Sequence, residues 1–368
     1  MSQSSDRLAN QASETVRPKR VQSLDGLRAL AILFIVIGHG IGTIAFHEQV
    51  PDLVWSILGN AEIGVSIFFV ISGFFITKSL IQEIELKNSI NFLDFYRRRF
   101  AKLLPPYYVY LIVILLFGTF HLIDLPLSAW FSAFFLFINY SPLPGSWWVG
   151  HSWFLCIMVL FYILWPISFS YLGRKRATWL AGISIVAIPL IRVITYFLLP
   201  GLRERIPVMF HTRVDILMFG SLLALLYDHP KFVSFCQQAF RYGFHVFAAI
   251  FLLAVSPFLS AKFQGAYLLP IGYSLNGFLT TMSIFWLMGH PHSMVAKILN
   301  FKVFVHIGAI SYSVYLWQQL FMTRQNTSFT GLFPWNLLCT LAIAELSYQL
   351  IERSTFKMRS KPTSNLGK

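Results

Sequence analysis

Long apolar runs alternate with short polar connections along this chain, and most of the connections are basic. Eleven apolar segments can be drawn, at about 26–46, 62–82, 103–122, 126–140, 152–172, 177–199, 207–228, 242–262, 267–290, 303–322 and 331–351. A membrane-spanning helix needs about 20 mainly apolar residues. Segment 126–140 is shorter and is bounded by Pro126 and Pro142. The basic loops indicate how to read it, because Lys and Arg accumulate on the cytoplasmic side. With a cytosolic N-terminus, the loop holding Lys78, Arg97, Arg98, Arg99 and Lys102 falls inside. Arg174-Lys175-Arg176 falls inside only if 126–140 does not cross. That single demotion also brings Lys231, Lys297, Lys302, Lys357 and Arg359 inside, leaving Arg203 and Arg205, on either side of Glu204, outside. The pattern predicts an all-α, polytopic transmembrane helix bundle of about ten spans with both termini cytoplasmic.

The ends read differently. Residues 1–20 are polar, rich in Ser and Gln, and close on Arg17-Pro18-Lys19-Arg20. They predict a disordered cytosolic tail rather than a cleaved leader, since the apolar run starts late and no small-residue cleavage site follows it. Residues 21–355 form the membrane domain and 356–368 a second disordered cytosolic tail.

Composition agrees with the pattern. The chain is 56% hydrophobic and 12% charged, about half the charge fraction of a soluble domain. A net charge of +14 fits cytoplasmic loops and anionic lipid, with no call for nucleic acid. Cys156, Cys236 and Cys339 lie in or beside apolar segments without pairing or ligand spacing, so neither a disulfide framework nor a metal site is expected.

The candidate chemistry lies in the first span. Arg28 and His39 bracket an uninterrupted apolar run and are eleven residues apart. That spacing is close to three helical turns and about 16 Å of rise, so both project from one face of one helix. An ionisable residue so far into a span is a functional candidate by default. A separation of about 16 Å also roughly matches an extended pantetheine arm, with phosphates at one end and a thioester at the other. The pair points to acyl transfer from a coenzyme A thioester.

Several further segments, in order along about residues 20–355, join this one. They are Gly64-Val65-Ser66-Ile67-Phe68-Phe69-Val70-Ile71-Ser72-Gly73-Phe74, residues 95–108 with Arg97, Arg98, Arg99 and Lys102, and His151-Ser152-Trp153-Phe154-Leu155. After them come Arg213-Val214-Asp215 ahead of Gly220, Ser311-Tyr312-Ser313-Val314-Tyr315-Leu316-Trp317, and Glu345-Leu346-Ser347-Tyr348 with Ile351-Glu352-Arg353. Together they resemble the acyltransferase type 3 family of multi-pass membrane acyltransferases. The resemblance implies an enzyme that O-acylates, usually O-acetylates, sugars of surface glycans or lipid-linked precursors. It implies cytosolic acyl-CoA, usually acetyl-CoA, as donor substrate, no bound cofactor, and a bacterial cytoplasmic (inner) membrane location. Where many members carry glutamates after the His-Ser-Trp motif, this chain has Met158 and Val159. Lys102 replaces the second arginine of an RxxR pair, and Gln318 stands where a histidine is common.

On this resemblance His39 would be a general base on the acceptor hydroxyl or a transient acyl carrier; imidazole suits both tasks near neutral pH. His151 would join it as a second catalytic candidate or shape the acceptor pocket. Arg28, Arg98, Arg99 and Lys102 would hold the donor phosphates, unless they serve only as topology signals. Trp153, Arg213 and Asp215 would contact the glycan; the alternatives are an interfacial aromatic belt for the tryptophan and a structural role for the charged pair. Tyr312, Tyr315 and Glu345 read best as packing contacts between helices. A glycan transporter or flippase would also suit buried ionisable groups, and the missing glutamates leave room for a catalytically lapsed scaffold.

Overall fold

A computed structural model describes residues 22–142 and 145–353. Both predicted tails lie outside these residues. The described chain is helical throughout, with no strand among the described residues. We label the main helices α1 (Gln22–Gly40), α2 (Asp52–Leu58), α3 (Ala61–Lys87), α4 (Phe92–Thr119), α5 (Leu127–Phe134), α6 (Trp153–Leu198), α7 (Phe210–Leu226), α8 (Pro230–Arg241), α9 (Phe244–Phe263), α10 (Tyr273–Gly289), α11 (Lys302–Phe321) and α12 (Trp335–Ser347).

Among the described residues six helical stretches are long and apolar enough to cross a membrane: Gln22–Thr43, Asp52–Lys87, Phe92–Thr119, Trp147–Leu198, Pro200–Leu226 and Phe244–Phe263. Helix α6 runs 46 residues but folds at Gly173, where φ is 68°. That left-handed backbone favours a residue without Cβ, and it breaks the helix between the two apolar segments predicted at 152–172 and 177–199. The segment 126–140 yields only the eight-residue α5, about 12 Å long and too short to cross a bilayer by itself. It lies against α4 through the Trp130 Nε1 to Leu111 carbonyl bond (2.9 Å) and the Tyr107 hydroxyl to Ala133 carbonyl bond (2.8 Å). Helix α8 was not anticipated, since its residues fall between two apolar runs. It packs Cys236 and Phe240 inward.

Polarity is partly inverted relative to a soluble protein. On the outer arm of α6, Trp179, Ile183, Val186, Leu190, Ile194 and Phe197 are all exposed. They recur every three or four residues, so one continuous apolar stripe faces outward, as a lipid-facing helix requires. Arg192, Arg213 and Asp215 have no exposed surface. Asparagines mark two helix starts: the Asn60 side chain caps α3 at Ile63 N, and Asn91 caps α4 at Asp94 N.

Glycines bring α1, α3, α7 and α11 into close backbone contact. At Gly220 of α7 an added Cβ would overlap the Val70 carbonyl of α3, and at Gly73 of α3 it would overlap the Leu217 carbonyl of α7. Small residues here let two backbones touch. Gly220→Ala must push α3 and α7 apart, and overpacking of this kind costs about 1–3 kcal/mol. Gly182 of α6 has nothing within 4 Å of its Cβ position, so Gly182→Ala is expected to be neutral or stabilising by up to about 1 kcal/mol. Thermal unfolding of the two variants in one detergent checks this. Equal midpoints would mean that the α3–α7 contact is looser than described.

Candidate active site

The close approach of α1 and α3 brings the end of one helix beside the start of the other. Between them, and closed by the one-turn helix Trp147–Gly150 and by α11, lies a cavity of about 320 Å³. His39 borders it, together with Glu62, Trp147, His151, Trp153 and Gln319. The His39 ring meets Trp147 edge-on, with centroids 5.5 Å apart. Its Nδ1 is enclosed and makes no hydrogen bond. Gln318 approaches the ring, but neither atom of its amide reaches a well-formed bond. Trp147 is fixed by a reciprocal pair with Gln319: indole Nε1 donates to the Gln319 carbonyl at 3.0 Å, and Gln319 Nε2 donates to the Trp147 carbonyl at 2.6 Å.

His151 reaches the same cavity from the start of α6. Its two ring nitrogens are buried without partners, and its ring packs between Tyr110 (5.2 Å) and Tyr315 (5.4 Å). The Tyr315 hydroxyl donates to the His151 carbonyl at 2.5 Å, which anchors the backbone and leaves the imidazole uncommitted. His39, His151 and Trp153, all singled out in the sequence, thus line one cavity.

Arg213 and Asp215 do not neutralise each other. Arg213 Nη2 pairs with Glu62 Oε1 at 2.7 Å, and its guanidinium lies 3.9 Å above the Tyr273 ring. Asp215 Oδ2 pairs with Arg192 Nη1 at 2.9 Å and accepts from the Ser274 hydroxyl at 2.5 Å, with both ion-pair side chains fully buried. Arg213 therefore stands behind the cavity wall, and Asp215 belongs to a second ion pair beneath it.

The basic residues collect toward the far end of α1. Arg28 pairs with Asp25 at 3.0 Å and lies 5.5 Å from the Phe75 ring centroid. Arg99 Nη2 donates to the Ser79 hydroxyl at 2.9 Å. Lys102 interacts electrostatically with Arg28, Arg99, Asp25 and Glu352. Arg98 instead reaches Glu83 at 3.2 Å, beside Lys87, at the turn joining α3 and α4. Arg28, Arg99 and Lys102 form one group and Arg98 another. Glu345 is likewise elsewhere, paired with His306 at 2.9 Å. Among the described residues, no three His, Cys, Asp or Glu side chains are grouped to hold a metal ion.

The residue pattern of a family described as an acyltransferase domain matches residues 21–344. The chain belongs to this acyltransferase family. The acyltransferase domain is also similar in sequence to O-acetyltransferase OatA of Staphylococcus aureus strains NCTC 8325 and COL. Identity is 27% over 374 residues, covering 91% of this chain and 57% of each relative. The chain thus spans little more than half the length of these curated relatives. No solved structure matches it.

Three residues in and behind the cavity escaped sequence reasoning. Glu62 carries no distinguishing signal in the sequence, being an acidic residue in a first helical turn, and its partner lies 151 positions away. Trp147, beside Trp148, carries no more signal in the sequence than an interfacial aromatic belt would. Arg192 did carry a readable signal: a cation in the middle of the apolar run 177–199, where it needs a partner.

Proposed function

We propose that this chain is an integral-membrane O-acyltransferase. It transfers an acetyl group from cytosolic acetyl-CoA to a hydroxyl of a surface-glycan or lipid-linked sugar. In this reading it crosses the bacterial cytoplasmic membrane about ten times with both termini in the cytosol. The observation that carries the reading is the placement of His39. It borders a polar-aromatic cavity on the same helix face as Arg28, and Arg28 sits in a basic group about 16 Å away. The OatA likeness supports acetyl as the group transferred.

The chemistry follows from that placement. Imidazole takes the proton from the acceptor hydroxyl as its oxygen bonds to the thioester carbon. The carbon–sulfur bond then breaks, and the departing coenzyme A sulfur takes the proton back from imidazolium. As a carrier, His39 would instead bond the acyl carbon itself, release the thiol, and pass the group to the hydroxyl in a second step. Radiolabelled acetyl-CoA incubated with purified protein in nanodiscs, with and without a panel of glycans, tests the activity. The absence of both labelled glycan and acetyl-CoA consumption would refute it.

The donor end makes its own prediction. Arg28→Ala raises the donor KM about ten- to a hundredfold, the worth of one charge-assisted contact. The acceptor KM stays unchanged, because a phosphate contact remote from the reacting carbon acts on binding. A pure topology signal behaves differently: its loss lowers the yield of inserted protein and leaves the kinetics of the folded fraction unchanged.

A further inference from the structure

The cavity that His39 borders contains a carboxylate to which acyl transfer by an imidazole assigns no part. A quarter of the Glu62 side chain (25%) is open, whereas the Arg213 side chain paired with it has no exposed surface. The two contacts to this carboxylate, from Arg213 Nη2 at 2.7 Å and the Ser66 hydroxyl at 3.4 Å, both fall on Oε1. Oε2 is left facing the open side. Arg213 cannot move to follow it: the guanidinium is clamped over the Tyr273 ring at 3.9 Å, and its Nε and Nη1 are enclosed without partners. The carboxylate is therefore held in one orientation by a buried cation that no ligand can reach.

The remaining walls suit one class of ligand. Trp147, Trp153 and Tyr315 present aromatic surface to the cavity, and Gln319 adds an amide. A saturated ring with C–H faces and hydroxyls around its edge satisfies both kinds of wall. The aromatic faces cover the C–H groups, and an ionised carboxylate accepts from hydroxyls and donates nothing. A ligand with its own carboxylate would instead meet a like charge at short range in a site of low dielectric.

We infer that Glu62 is the sugar-binding carboxylate of this site, with Oε2 accepting from a pyranose hydroxyl. Arg213 is its positioning residue, and the site selects neutral or amino sugars over uronates. The inference rests on the acyl-transfer reading only in calling that sugar the acceptor.

Binding is measured first, without acyl-CoA, from tryptophan fluorescence on titration with methyl glucoside, methyl glucosaminide and methyl glucuronide. The unmodified protein binds the first two at least about tenfold more tightly than the glucuronide. Glu62→Gln weakens glucoside binding about tenfold, the loss of one charge-assisted bond, and brings the glucuronide within about threefold of it as the like-charge repulsion goes. Because Glu62→Gln strands Arg213, the double variant Glu62→Gln/Ser66→Asp supplies a carboxylate one helical turn away at a fully buried position. It restores thermal stability without restoring discrimination. Glu62→Gln protein that binds all three sugars like the parent overturns the inference, as does a double variant that regains discrimination along with stability, or a parent protein that binds none of the three. Sugar binding with this selectivity but no acetyl-CoA turnover overturns the acyltransferase reading and leaves the Glu62 assignment standing.

Discussion

His39→Ala lowers kcat/KM for acyl transfer by about 100- to 10,000-fold, the usual worth of a general base, while yield and unfolding temperature stay close to those of the parent. The expected loss is chemical because so little structure depends on the ring. Its Nδ1 has no hydrogen-bond partner, so truncation breaks no bond at that nitrogen, and a broken bond that strands a buried partner is what makes the removal of a polar group expensive. The packing lost is chiefly the edge contact with Trp147 at 5.5 Å. Labelled acetyl transfer by detergent-purified variant, normalised to folded protein, decides the matter, and near-parental turnover would sink the assignment. Rapid quenching in the absence of acceptor then separates the two roles. Label retained on the parent protein and absent from His39→Ala identifies a carrier, whereas label on neither identifies a base.

Arg192→Met is expected to cost the fold about 3–5 kcal/mol, because it leaves Asp215 charged and unpaired in the interior. Arg192 donates to four places: the Leu269 carbonyl at 2.7 Å, the Thr212 carbonyl at 2.8 Å, Asp215 at 2.9 Å and the Ser274 hydroxyl at 2.5 Å. These bonds tie α6 to α7 and to the chain entering α10. Replacing both ion-pair partners, as in Arg192→Met/Asp215→Leu, removes the stranded charge along with its counterion, so stability returns most of the way to parental. Unfolding midpoints of the two single variants and the double close the cycle. If Asp215 instead contacted glycan, its single variants would keep the parental midpoint and raise the acceptor KM.

Much of the helix pattern was visible in the sequence because it is local. Runs of about 20 apolar residues and the basic break at Arg174-Lys175-Arg176 place helix boundaries without knowledge of neighbours. The common face of Arg28 and His39 follows from helical periodicity alone. What periodicity could not give is which helix faces which. The joining of Glu62 to Arg213 depends on glycine-mediated contact between α3 and α7, which are far apart in sequence, and that of Arg192 to Asp215 depends on how α6 packs against α7. Arg213 and Asp215 are two positions apart, which on a helix sends them to different neighbours, so their partners could not be read from the motif that contains them. Arg98 and Arg99 are adjacent and equally basic in sequence, yet helical rotation carries one to Glu83 and the other to Ser79.

The cavity bordered by His39 holds about 320 Å³, and on the proposed reaction both substrates must use it. The length of a pantetheine arm does not change with the acyl group it carries. On that proposal, phosphates anchored near Arg28 would deliver every thioester carbon to the same depth, and each added methylene would extend beyond His39 into the volume a sugar ring needs. Chain-length preference then arises from competition for space, with no surface dedicated to measuring the chain. A long acyl-CoA would bind tightly, exclude the acceptor and behave as a dead-end inhibitor competitive with the sugar.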